Sequence, residues 1–502
     1  MTSFLKVAAK KPLILFGIVL AIALQALNAR GLFSGYSYWS DEAFSAATAL
    51  AGWKSLFFDW VLPDTAPPLF PVILKIWQSI LGYSEISSRL LSFVFATAAL
   101  AGISLFALRS GRAAYLGTII FLGTSPVFSR YGQEARNYSL VLLLSAVALI
   151  GLIEWCRHAR AGQGLVVSGL CFRVSIFLLS LAHYFALVYC LALLAFKSLY
   201  GLLAVSGWKS ELARDAASVV LIMAFPVYHL LVFGRLASTK LLAWNHVQPF
   251  WGTMHNLGES LWSGNASASL VVALLLSVAL LAAPGFSPLV KARLVVIAAS
   301  SILFVSFVIV IDLITSSFSS DRNFIVILPA ATLAISCLLQ GLVESIGPFA
   351  PRLLILSLAL FAAIQQFNVS ASNMLHGKLA PYENYKQVAV ALAKSGACQK
   401  ASCYSVGVGK WWNDVYFIPQ SVGLMDVRDI GGALVYPGSM VVIAGPAGRT
   451  GFSLGDRYVG LDGFQCLQPR QTWDRSVIVM APNRLIPDLA KYNLYDVSCP
   501  SV

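Results

Sequence analysis

Charge is what this sequence has least of. Asp, Glu, Lys and Arg fill 11% of its 502 positions, whereas a soluble domain carries about 25%. Hydrophobic residues fill 58%, and a mean hydropathy of +0.76 is spread over apolar runs that recur along most of the chain. One soluble core could not hide them, which excludes a wholly soluble protein. A bilayer core asks for about 20 apolar residues per span, and inside it only helices and closed barrels satisfy their own backbone. The short alternating segments of a barrel are missing, so the runs are predicted to be helices. Also missing are internal repeats, low-complexity tracts, and any basic stretch interleaved with aromatics of the kind nucleic acid requires. The net charge of +13 therefore implies no nucleic acid partner. Most Lys and Arg fall in short loops, where the positive-inside rule puts them.

Spans are expected near 13–29, 89–108, 113–129, 138–155, 164–181, 184–203, 216–234, 268–284, 294–314, 324–343 and 353–370. The first run is too long for a signal peptide and shows no small-residue cleavage site. It is read as an uncleaved span, with Lys6, Lys10 and Lys11 holding the N-terminus in the cytoplasm. Within 165–203 two short spans must share one stretch, and Arg173 there is either snorkelling or paired. Eleven spans place the C-terminus outside. The cations agree: Arg109 and Arg112, Arg157 and Arg160, Lys209 and Arg214, Lys291 and Arg293, and Arg352 all fall in cytoplasmic loops.

Two outer segments are long. The first, 30–88, contains an amphipathic stretch, Pro67–Leu81, suited to the membrane surface. The second, about 234–267, carries Trp244, Phe250, Trp251 and Trp262. After about Ser370 the composition changes. Turn signals, a helical stretch at Tyr382–Lys394 and β-rich runs at Ser439–Ala444 and Ser476–Ala481 point to a small soluble α/β domain. The expected division is a membrane helix bundle over 1–375 and an outer domain over 376–502. Four of the eight cysteines (Cys398, Cys403, Cys466 and Cys499) fall in that domain, which suits one or two disulfides. A zinc reading is weak, because no second ligand pair follows.

With so few acids, their placement is informative. Asp41 and Glu42 follow the first span, in Tyr38-Trp39-Ser40-Asp41-Glu42-Ala43-Phe44, and Asp59 and Asp64 share that loop. A second outer cluster is Arg130, Gln133, Glu134, Arg136 and Tyr138. Further on come His183-Tyr184 and Asp321-Arg322-Asn323. A carboxylate in such a loop can deprotonate an acceptor hydroxyl. Arginines at the same depth can hold a lipid phosphate by paired hydrogen bonds. Each residue also has a plainer reading: a solvated acid, an arginine anchoring a span end, a structural histidine. Asp312 lies near the outer end of its span, and Asn137-Tyr138-Ser139, Asn265-Ala266-Ser267 and Asn368-Val369-Ser370 match the glycosylation pattern, which arises often by chance.

The arrangement resembles the polyprenyl- or dolichyl-phosphate-sugar-dependent glycosyltransferases of the GT-C fold. It is most similar to the bacterial branch holding protein O-mannosyltransferase-like proteins and the lipid A aminoarabinose and galacturonic acid transferases. The resemblance rests on Trp39-Ser40-Asp41-Glu42-Ala43-Phe44; on Asp64-Thr65-Ala66-Pro67-Pro68-Leu69-Phe70 with Trp77 and Gly82; on Ser88-Arg89-Leu90; and on Ser125-Pro126 with Gln133-Glu134-Ala135-Arg136-Asn137-Tyr138. His183-Tyr184-Phe185 and Arg322-Asn323 with Pro329 complete it, over about residues 10–370. It implies Asp41 as catalytic base, with Glu42 beside it, and Asp64 as part of the donor or metal site. Glu134, Arg136, Tyr138, His183 and Arg322 would contact the donor phosphate or substrate. Ala66 stands where the family usually has His, so a divalent metal ion stays an open question.

The expectation is an inverting glycosyltransferase of the plasma (bacterial inner) membrane, acting at its outer face. Its partners would be membrane lipids, a polyprenyl-phosphate-linked sugar donor, and a lipopolysaccharide, envelope-glycan or protein acceptor. The alternative is a transporter or flippase of lipid-linked sugars. Transporters tend to show repeats and mid-membrane charges, whereas here the charges sit at the edge of the spans.

Overall fold

The computed structural model describes residues 12–33, 37–62, 67–160, 166–204, 208–233, 250–262, 283–315, 320–345, 364, 385–395, 402–406, 413–422, 425–426, 440–444, 478–481 and 495–496. By internal contacts the chain forms two units. One comprises Met1–Phe33 and Gly52–Leu379, the other Ser34–Ala51 and Ala380–Val502.

The first unit is helical. Its elements are α1 (Pro12–Ala29), and then, after the second unit's α2 (Ser40–Leu50), α3 (Leu69–Leu81), α4 (Glu85–Leu108), α5 (Arg112–Gly123), α6 (Pro126–Tyr131) and α7 (Tyr138–Arg160). There follow α8 (Val166–Ser180), α9 (Tyr184–Ala204), α10 (Trp208–Phe233), α11 (Trp251–Trp262), α12 (Pro288–Thr315) and α13 (Leu328–Ser345). Among the described residues six helical segments are long and apolar enough to cross a membrane: Pro12–Phe33, Glu85–Leu108, Tyr138–Ala159, Tyr184–Ala204, Pro288–Ile314 and Arg322–Ser345. Three shorter apolar helices accompany them. The chain is a multi-pass membrane protein. The spans expected at 268–284 and 353–370 lie outside the described residues, apart from 283–284 and 364.

Two spans differ from the expectation. The run 113–129 is no single helix: α5 stops at Gly123, and α6 begins at Pro126. Proline has no N–H to continue the ladder, and it drives the preceding residue out of the α region. Ser125 accordingly turns extended and caps the new helix, its Oγ accepting from the Phe128 N–H at 3.4 Å. The run 324–343 opens as a 3-10 turn, Asp321–Ile327, before α13. The doubtful stretch 165–203 resolves into α8 and α9, joined by a tight turn at Leu181–His183.

Lipid tails are as apolar as leucine, so these helices associate through close packing and shared polar contacts. A Cβ on Gly151 of α7 would lie 3.1 Å from the Phe172 backbone of α8, so glycine is what lets that pair approach. Between α5 and α13, Thr118 Oγ1 donates to Ser336 Oγ at 3.0 Å.

The second unit contains α2, α14 (Tyr385–Ser395), and a five-stranded sheet of β1 (Ser402–Val406), β2 (Met425–Asp426), β3 (Met440–Ala444), β4 (Ile478–Ala481) and β5 (Tyr495–Asp496). Strand order is β2-β1-β3-β4-β5, parallel except between β3 and β4. Helix α14 and strands β3 and β4 stand where the sequence places a helix and two β runs. The outermost turns of the sequence reading, and Cys398, Cys466 and Cys499, lie outside the described residues.

Candidate active site

The turns at one end of the first unit's bundle gather most of the residues singled out in the sequence. Asn137, just before α7, is buried, and its Nδ2 donates to the Ala182 carbonyl at 2.6 Å. That bond ties the 132–137 loop to the α8–α9 turn and gives Asn137 a structural post, contrary to its glycosylation pattern. The Leu69 N–H donates to the Leu181 carbonyl at 3.0 Å, so the start of α3 joins the same turn. Arg322 rides on the 3-10 turn, whose buried Phe324 packs edge-on to Phe185 of α9 and to Phe304 of α12, with centroids 5.1 and 6.2 Å away.

On this frame Arg136, Tyr138, His183 and Arg322 come together. The Arg136 guanidinium stands 6.0 Å from the Tyr138 ring centroid. The Tyr138 ring lies 4.7 Å from Tyr131 and 6.1 Å from His183. Withdrawal from water holds the His183 imidazole far below its ordinary value, at about 3, and the positive charges of Arg136 and Arg322 push the same way. His183 is therefore neutral. Its Nδ1 accepts from the Phe185 N–H at 3.0 Å, which leaves the proton on Nε2. The charges of two guanidinium groups thus reach one uncharged imidazole, and these are group types that bind phosphate oxygens.

Glu134 is buried beside this cluster and accepts from Arg130 Nε at 3.1 Å. Its negative charge is thus met by that arginine. Asp64 lies outside the described residues. Leu62, just before it in the chain, gives its carbonyl to His229 Nε2 at 2.8 Å, and His229 Nδ1 bonds Tyr184 Oη. Sequence reasoning overlooked His229; a histidine is rare in an apolar span, and the chain has only six in all. Asp312 also has a partner, accepting from Thr253 Oγ1 at 2.5 Å and so linking α12 to α11.

Asp41 and Glu42 belong to the second unit. Both sit in the first turn of α2, where acids are favoured by the helix dipole. Glu42 is fully buried, and its Oε2 accepts from the Trp39 N–H at 3.3 Å, a capping contact. Asp41 keeps partial exposure. Among the described residues no three His, Cys, Asp or Glu side chains converge to hold a metal ion.

A helical bundle of this build with an α/β unit is the GT-C fold. Among solved structures the chain is similar to ArnT from Cupriavidus metallidurans in the apo state, with a TM-score of 0.53 and 12% identity over 87% of this chain and 94% of that one. It is equally similar to ArnT from the same organism bound to undecaprenyl phosphate, with a TM-score of 0.52 and 13% identity over 92% and 97%. At such identity the likeness defines the fold. No family model and no curated protein matches the sequence.

Proposed function

We propose that the chain is a membrane glycosyltransferase that moves a sugar from a polyprenyl-phosphate carrier to a hydroxyl acceptor at the outer face of the plasma (bacterial inner) membrane. The observation that carries this reading is the cluster of Arg136, Tyr138 and a neutral His183, within reach of the Arg322 charge, in a fold whose solved neighbour was determined bound to undecaprenyl phosphate. The opposite end of the bundle holds Arg109, Arg157, Lys209, Arg214 and Lys291, which supports a cytoplasmic side there.

In this mechanism the Asp41 carboxylate takes the proton of the acceptor hydroxyl. The oxygen attacks the anomeric carbon from the face opposite the phosphate, the bond from that carbon to the phosphate oxygen breaks, and polyprenyl phosphate departs with the configuration inverted. Arg136 and Arg322 offset the charge that grows on the departing phosphate, and His183 Nε2–H adds a neutral hydrogen bond. The cations that the described residues bring to this scheme are the two arginines. Glu42, occupied by the Trp39 N–H, supports the helix rather than acting as base. The acceptor is a lipopolysaccharide, another envelope glycan or a protein. Transport is the weaker reading, because the buried ionic groups within the helices neutralise one another, as Lys197 does with Asp215 at 2.7 Å.

The test is turnover by purified protein, followed as release of undecaprenyl phosphate from lipid-linked sugars extracted from the native membrane. Asp41→Asn should cost about 10²- to 10⁴-fold in rate while undecaprenyl phosphate still binds. Glu42→Gln should be milder. Full turnover by Asp41→Asn would reject this base.

A further inference from the structure

The segment that carries Asp41 is built into the second unit by residues from the far end of the chain. Ser37, Tyr38 and Trp39 are buried and extended, and each has a fixed partner. The Lys386 N–H donates to Ser37 Oγ at 3.1 Å. The Tyr38 N–H donates to Tyr416 Oη at 2.6 Å, across 378 residues of sequence. Trp39 N–H goes to Glu42. The Tyr38 and Tyr416 rings also meet, with centroids 6.1 Å apart.

Helix α2 itself is packed almost all round. Glu42, Ala43, Ser45, Ala46, Ala47, Thr48 and Ala49 are buried, and Asp41 alone among the acids of its first turn is partly exposed. A helix lying on a surface would leave a polar face open; this one leaves little beyond the carboxylate at its start. Tyr416 is held in turn. It sits in the π-helical turn Asn413–Phe417, whose buried Phe417 meets Tyr385 edge-on at 6.5 Å and takes the Val422 N–H on its carbonyl at 3.0 Å.

We infer that Tyr416 is a positioning residue for Asp41: its hydroxyl fixes the backbone three residues before the base and so sets where the carboxylate stands. This rests on the reading of Asp41 as base. A misplacement of about 1 Å, even from a remote change, can cost on the order of 100-fold in rate. The sequence gives no hint of the pairing, since Tyr416 lies in a stretch with no catalytic motif.

Tyr416→Phe keeps the ring and removes only the hydroxyl. Two quantities are read on the full-length protein: hydrogen exchange over residues 37–45, and turnover with lipid-linked sugars extracted from the native membrane. The expected result is faster exchange confined to that segment, a kcat lowered about 10- to 100-fold, and a KM within about twofold. In an Asp41→Asn background the second substitution should add nothing, because no base is left to place. Unchanged exchange overturns the contact. Faster exchange with unchanged kcat, or losses that multiply with Asp41→Asn, overturns the positioning role. Full activity in Asp41→Asn alone overturns the base assignment and this inference with it, while the exchange result still reports whether the contact exists.

Discussion

The two ends of α9 are both polar, and they are polar in opposite ways. Near its C-terminal end Lys197, fully buried, reaches Asp215 at 2.7 Å and Glu211 at 3.0 Å, and Arg173 of α8 joins Glu211 at 2.7 Å and Asp215 at 3.1 Å. Ser198 Oγ donates to the other oxygen of Asp215, and the Lys197 ammonium stands 4.0 Å from the Trp155 ring centroid. Positive meets negative, and the network closes on itself. Near its N-terminal end two arginines press on one neutral histidine. The first end reads as structure, and the second carries the residues proposed to meet the donor phosphate.

The sharpest way to break that contrast is at Lys197. Lys197→Met leaves two buried carboxylates with one cation fewer, and breaking such a network costs about 3 to 5 kcal/mol. Thermal unfolding in detergent should show the loss, with turnover per folded molecule unchanged. A turnover defect at matched folded amounts would make the network functional. Replacing Arg173, Lys197, Glu211 and Asp215 together by apolar residues of similar volume should restore most of the stability.

The next effect is at the other end. Arg136→Ala and Arg322→Ala each remove a charge-assisted hydrogen bond, worth about 1.5 to 3 kcal/mol. Binding of undecaprenyl phosphate, measured by calorimetry, should weaken roughly 10- to 100-fold for each in variants that still fold. A fallen midpoint with intact binding would mean that these arginines are structural, like Arg173.

A smaller loss is expected for Tyr184→Phe. It strips one donor from His229, whose other nitrogen holds the Leu62 carbonyl, and should cost about 0.5 to 1.5 kcal/mol of stability. An unfolding midpoint equal to that of the parent would remove this bond from the frame of the site.

The smallest effect at neutral pH comes from His183. Its folded value, about 3, lies below the unfolded value near 6.5. Above about pH 6.5 both states are unprotonated and nothing is gained or lost. As pH falls from there toward 3 the unfolded chain binds a proton that the folded chain refuses, so stability declines through that window. His183→Gln should flatten the decline in thermal midpoint between about pH 6.5 and 4. An identical slope in the variant would reject the burial of a neutral imidazole.

Much of this was legible in the sequence, for reasons that differ by residue. Long apolar runs declare themselves because the bilayer sets their length, so α1, α4, α7 and α12 fall where hydropathy puts them. The break before Pro126 does not register in hydropathy, which weighs side chains and ignores the missing N–H. Arg136, Tyr138, His183 and Arg322 were legible because a polar residue beside an apolar run is conspicuous. Arg173 was visible but ambiguous, since its partners sit on another helix 38 and 42 residues away. His229 and Tyr416 were not legible, because what gives each its role is a backbone group distant in sequence, and a backbone group has no identity to read.

The bond between Tyr38 and Tyr416 has a consequence for how the protein is made. Ribosomes add about 5 to 20 residues per second, so the 378 residues between the partners take on the order of 20 to 80 seconds. Throughout that interval the α2 segment, already synthesised, waits without the hydroxyl that anchors it. A chain halted before Tyr416 would carry Asp41 and most of its helices and still lack the anchor for the α2 segment, so on the proposed reading an unfinished copy in the membrane would turn over lipid-linked sugar slowly.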